Sequence, residues 1–191
     1  MKSYNHLTKP IMVLFSAAFL SFPTWVQASH NNRLTSVDTI DGIFSAGGGT
    51  LSGTLGSLGD DGYFVFAGAS GDAVTIGMEG SGTGAGTLND PYLYLFQEIS
   101  NGIVEVGDVV NITDGCNQGS GFDALFLDCN DDGGVFLDSL LGFVLPASGQ
   151  YLIGASSYND DDVGTYDIVL SGNTLDVVVP VPEPATLALF G

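Results

Sequence analysis

The chain has 191 residues, 45% of them hydrophobic, and a formal net charge of −19. Three Lys and Arg residues face 22 acids, and a field of that sign repels nucleic-acid phosphates and anionic membrane surfaces, which excludes both as partners. A mean hydropathy of +0.31 argues against a disordered polyanion.

In chain order, Lys2 and Lys9 flank the start of an apolar run over 11–20. Val26-Gln27-Ala28 then puts small residues where signal peptidase reads, so residues 1–28 are expected to be a signal peptide cleaved after Ala28. The run is short and followed by Pro23, which argues against a transmembrane helix. Beyond Ala28 the one basic residue is Arg33, and no Lys or Trp remains. Residues 29–47 read as an approach segment, flexible over 29–36.

From residue 48 onward, Gly and Asn/Asp/Ser clusters separate short runs of two-residue alternation, the pattern of strands. The expected strands are 50–55, 63–67 after the turn Gly59-Asp60-Asp61-Gly62, 73–79 after Gly71-Asp72, and 91–97. Further runs follow at 102–106, 122–127, 135–145, 150–156 and 165–170. No segment shows helical periodicity over three turns. About eight or nine strands without helices read as an antiparallel β-sandwich. In 91–97, Tyr92, Tyr94 and Phe96 alternate with Leu93, Leu95 and Gln97, so this strand is expected to be covered on both faces or to form an oligomer face. The Gly-rich stretch 80–86 precedes no helix pattern and is no phosphate cradle. Residues 173–180 read as a linker.

Cys116 and Cys129 are the two cysteines. In an exported chain a disulfide between them is expected, with two free thiols as the alternative. The second cysteine lies in Asp128-Cys129-Asn130-Asp131-Asp132-Gly133, which fits D-x-N-x-D-G, the first half of a calcium loop. Ser139 stands at the twelfth position, where an EF-hand needs Glu, so the expectation is a loop site rather than an EF-hand. Its ligands would be Asp128, Asn130 and Asp132, completed by Asp90 or by the turn Asp160-Asp161-Asp162. The alternative is an Asx-rich turn with no metal. Tyr158 is the expected exposed aromatic for stacking on a sugar, with Tyr92, Tyr94 and Tyr166 as further candidates.

Catalysis finds no support. The one histidine beyond Ala28 is His30, in the approach segment, and a triad or a histidine zinc site needs a base or ligand held by the scaffold. No pair of carboxylates is singled out for glycoside hydrolysis. The expectation is a non-enzymatic protein.

Two family resemblances add to this. Val181-Pro182-Glu183-Pro184-Ala185-Thr186 resembles the start of a PEP-CTERM sorting signal. In that family the motif precedes a membrane-spanning helix and an arginine cluster, and exosortase machinery delivers the protein to the surface or the exopolysaccharide matrix. The helix and the arginines do not follow here, so residues 181–191 read as an incomplete signal and the chain as written has no stable anchor. The resemblance implies a secreted or surface protein of a Gram-negative-type bacterium, with signal peptidase, exosortase and possible exopolysaccharide as partners.

Residues 48–172 resemble the bacterial pre-peptidase C-terminal family, whose fold is a jelly-roll-like β-sandwich. The resemblance rests on Asp61-Gly62-Tyr63-Phe64-Val65-Phe66, Asp90-Pro91-Tyr92-Leu93, Asn130-Asp131-Asp132-Gly133 and Gly149-Gln150-Tyr151-Leu152-Ile153, in the family's order. Residues 99–129 then look like an insertion. The function expected is a structural or adhesive role, calcium-stabilised, in the extracellular matrix. The alternative is a carbohydrate- or protein-binding module with a defined pocket.

Overall fold

A computed structural model describes residues 34, 36–114, 116–118 and 123–172. The strands are β1 (Gly42–Ile43), β2 (Gly49–Leu55), β3 (Gly62–Gly68), β4 (Ala73–Glu79), β5 (Pro91–Glu98), β6 (Ile112–Asp114), β7 (Asn117–Gln118), β8 (Ala124–Asn130), β9 (Ser139–Val144), β10 (Gly149–Ser157) and β11 (Gly164–Gly172). One 3-10 turn, Tyr158–Asp160, links the last two. The expected all-β sandwich is present. A five-stranded sheet runs β1-β3-β10-β5-β8 and a four-stranded sheet runs β2-β11-β4-β9.

The pairing is nested. β2 pairs with β11, β3 with β10, β4 with β9 and β5 with β8, all antiparallel. This is one long hairpin folded over into two layers, the jelly-roll arrangement. Two further antiparallel pairings, β10 with β5 and β11 with β4, knit each layer together.

The period-2 alternation sends Phe64, Phe66, Leu93, Leu95, Tyr151 and Ile153 from the larger sheet against Ile76, Met78, Tyr166, Ile168 and Leu170 from the smaller one. The opposite face of the larger sheet is also buried, which accounts for the doubly apolar strand at 91–97. There Tyr63, Tyr92, Tyr94, Phe96 and Leu152 pack under Leu34, Val37, Val104, Val110 and Ile112. The cover comes from the chain itself: the residues just before β1 and the insertion between β5 and β8. Ile112 donates its N–H to the Leu34 carbonyl at 2.6 Å, joining the two.

Several expectations are corrected. Residues 34 and 36–44, read as part of an approach segment, are folded onto the sheet, with Leu34 and Val37 buried. The run 102–106 is loop, and the start of 135–145 is a turn, with β9 beginning at Ser139. β1 and the β6–β7 hairpin were not foreseen, because two- and three-residue strands are too short to show a period. Cys116 and Cys129 form the expected disulfide, with their Cα atoms 5.8 Å apart. It fastens the turn between β6 and β7 to β8. The Tyr92 hydroxyl donates to this sulfur pair, 3.2 Å from Cys116 Sγ and 3.3 Å from Cys129 Sγ. The signal peptide 1–28, the linker 173–180 and the motif Pro182-Glu183-Pro184 lie outside the described residues.

Candidate functional site

The nested pairing places the start of β5 beside the end of β8, with Leu93 opposite Asn130. Asp90 immediately precedes β5, and Asp131 and Asp132 immediately follow β8. One carboxylate oxygen from each of the three lies within 4.8 Å of the other two. Asp90 Oδ1 and Asp131 Oδ1 are both buried and accept no hydrogen bond.

Ser139 holds the two segments together. Its buried hydroxyl lies 2.6 Å from the Pro91 carbonyl, 2.5 Å from that of Asp131 and 3.1 Å from that of Asn130. A hydroxyl carries one proton, so three carbonyls share one donor. The residue whose identity disqualifies an EF-hand is therefore the one that ties the Asp90 strand to the Asp131 turn.

The described residues hold no compensating cation. No Lys, Arg or His follows Arg33 in the sequence. Burial pushes the Asp131 carboxyl up to about 7, with the charges of Asp132 and Asp90 adding to the effect. Burial, then Asp132, Asp161 and Asp162, pushes Asp90 up to about 6. Three hard oxygen donors with no counter-charge suit a hard divalent cation such as Ca²⁺. They do not suit copper, since no histidine lies among the described residues and both cysteines are bridged.

Of the residues expected as ligands, Asp90 and Asp132 are thus brought together, and Asp131, which the spacing rule skipped, completes the group. Asp128 and Asn130 are engaged elsewhere. Asp128 Oδ1 accepts the Cys129 N–H at 2.9 Å. Asn130 Oδ1 accepts the Gly133 N–H at 2.8 Å, forming the Asx turn that presents Asp131 and Asp132. Loop logic places ligands two residues apart; here the first two of the three positions stay in β8 and the turn presents two consecutive residues.

Asp160 belongs to a second acidic group at the same end of the larger sheet. It accepts the Ser156 hydroxyl at 3.2 Å. Asp61, beside β3, is raised to about 7 by burial, an effect the Ser156 hydrogen bond opposes and the charges of Asp160, Asp38 and Asp60 reinforce. The Tyr166 ring lies over the backbone of Gly53 and Gly62, positions where any Cβ would strike it. Its hydroxyl is buried without a partner, and burial plus the charges of Asp41 and Asp61 hold its proton on.

Tyr158 is half-buried against the outer core, and its N–H donates to the Asp90 carbonyl at 2.9 Å. Tyr92, Tyr94 and Tyr166 are fully buried, which removes them as stacking surfaces.

No family model matches the sequence, and no curated protein matches it. Among solved structures, the chain is similar to Aeromonas hydrophila PliG, a periplasmic inhibitor of g-type lysozyme. The TM-score is 0.45 at 18% identity, covering 71% of this chain and 99% of that one. It is also similar to CorA, a surface-associated copper-binding protein of Methylomicrobium album BG8, with TM-score 0.46 and 14% identity over 69% of this chain and 98% of that one. A third is the pre-peptidase C-terminal domain of Bacillus anthracis collagenase, with TM-score 0.40 and 14% identity over 70% and 96% of the two chains. Likeness at this level transfers no ligand.

Proposed function

We propose that this is an exported, non-catalytic structural or adhesive domain, and that Ca²⁺ held by Asp90, Asp131 and Asp132 organises one end of its sandwich. The observation that carries the reading is the pair of buried, unpartnered carboxylate oxygens in a group of three, with no Lys, Arg or His among the described residues. Two such groups ionised together cost free energy unless a proton or a cation neutralises them. Ca²⁺ would supply the neutralisation and would cross-link the β5 and β8 ends, while Ser139 holds their backbones in place. Asp161 and Asp162 add to the negative potential at Asp90 and would favour cation capture.

Export is part of the same proposal. It is supported by the leader-like residues 1–28, by the disulfide and by the sorting-like motif Pro182-Glu183-Pro184. No histidine, lysine or free cysteine lies among the described residues, which supports the non-catalytic reading. Sugar binding through Tyr158 and association with exopolysaccharide belong to the alternative reading as a binding module.

The test is calorimetric titration of the purified protein with CaCl₂ at pH 7.5, followed by the same titration of Asp131→Asn. Saturable heat with one site per chain, abolished by the substitution, supports the proposal. No heat, with an unchanged melting temperature, removes the calcium site. N-terminal sequencing of the secreted protein should begin at Ser29, and a retained Met1 would defeat the export reading.

A further inference from the structure

Just beyond the acidic group, the chain between β8 and β9 does something unusual for a soluble surface. Val135, Phe136 and Leu137 are consecutive and exposed, at 53%, 81% and 44%. Leu140, at the start of β9, is exposed beside them. Apolar residues scattered singly over a surface need no explanation, but three in a row at one tip do.

The tip is held in place. Asp138 N–H donates to the Val135 carbonyl at 3.1 Å, closing a tight turn, and Gly134 N–H donates to the Asp138 carbonyl at 2.7 Å. The Asp138 side chain is buried and accepts the N–H groups of Gly80 at 2.9 Å and Thr83 at 2.8 Å. The Gly-rich loop over 80–86 thus acts as a bracket for the turn.

Phe136 sits in the left-handed region, with φ of +58°. That conformation suits Gly or Asn and is costly for a large side chain. A turn whose middle apolar residue is also its most strained and most exposed is poorly explained by folding alone. Stability would be served by glycine there.

We infer that the Val135–Phe136–Leu137 tip is a docking surface for a basic protein, Phe136 entering an apolar recess ringed by Lys or Arg. The choice of partner rests on charge complementarity. No basic residue follows Arg33, and Asp131 and Asp132 precede the tip by only two glycines. A second copy of this chain or an anionic lipid surface would meet like charge, whereas a cationic rim meets its complement. A single aromatic anchor inside a polar rim is the usual form of an interaction hot spot.

The test uses an immobilised amphipathic peptide built from lysine and leucine, with a lysine–serine peptide of equal charge as control, and the full chain in chelator so that the outcome is independent of the calcium proposal. Expected is binding to the lysine–leucine peptide that weakens with salt, falls about tenfold in Phe136→Gly and is kept in Phe136→Trp. Phe136→Gly relieves the backbone, so its melting temperature should not fall and loss of binding cannot be ascribed to unfolding. Equal binding by Phe136→Gly, or equal binding to both peptides, overturns the inference. So does tighter binding to neutral phosphatidylcholine vesicles, or a Phe136-dependent dimer in sedimentation, since each assigns the tip to another occupant.

Discussion

Two acidic groups share one end of the larger sheet and solve the same electrostatic problem differently. In one, Asp90, Asp131 and Asp132 bring oxygens within 4.8 Å of one another. In the other, Asp61 is hydrogen-bonded through Ser156, which also serves Asp160, and the charges of Asp160, Asp38 and Asp60 reach it, but among the described residues it is the Asp90 group whose three carboxylate oxygens meet within 4.8 Å. Burial raises Asp61 and Asp131 alike to about 7. The difference lies in convergence: three oxygens around one point can share a cation, whereas a buried carboxyl whose acidic neighbours stand farther off keeps its proton. Burial alone, therefore, does not make a metal site.

The largest effect that would break this comparison is calcium stabilisation. At a Ca²⁺ concentration one hundred times Kd, stability at pH 7.5 should rise by about 2.7 kcal/mol, read by urea unfolding. Asp131→Asn should abolish the rise and Asp61→Asn should leave it intact; a reversed pattern would exchange the roles of the two groups.

Next comes Asp61→Asn alone. The native state holds this carboxyl protonated up to about pH 7, while the unfolded chain releases the proton near the usual carboxylate pKa. Between those limits the folded state binds more protons, so stability is present at low pH and lost as pH rises through 7. The variant should be more stable than the parent by about 2 kcal/mol at pH 8 and equal to it near pH 4. In chelator the parent's melting temperature should fall from pH 5 to pH 8, and saturating Ca²⁺ should remove the share due to Asp90 and Asp131 while leaving that of Asp61.

Ser139→Ala should cost about 1 kcal/mol and also weaken Ca²⁺ affinity, because the tie between the Pro91 and Asp131 carbonyls is lost. A change in stability without a change in affinity would make Ser139 a packing residue only. Smallest is Phe136→Gly, expected to stabilise by roughly 0.5 kcal/mol, the relief of a left-handed phenylalanine set against the greater unfolded-state freedom of glycine. It should leave both acidic groups unaltered.

The sandwich was legible because alternation is a property of single strands, and β4 was bounded to the residue. The cover over Tyr92, Tyr94 and Phe96 was visible only as a demand, a strand apolar on both sides. What meets that demand is Leu34, Val37 and the insertion, joined to it through contacts distant in sequence. The site was legible in part for a similar reason. Asp90 and Asp132 follow from composition and turn chemistry, but replacing Asp128 by Asp131 depends on where β8 ends. A strand end shifted by one residue reverses which side chains face the loop. The signal that Ser139 mattered was there, in its place at the twelfth position, though it pointed to an absent ligand rather than to a clamp.

The nested pairing has a temporal consequence. β11, the last strand among the described residues, lies in the interior of its sheet, between β2 and β4. Until residues 164–172 have emerged, β2 has no neighbour and the smaller layer is only a two-strand fragment. The sandwich can close only once β11 has been made, and contacts between such distant segments form slowly. A chain that cannot finish early stays threadable, which would serve the export proposed above.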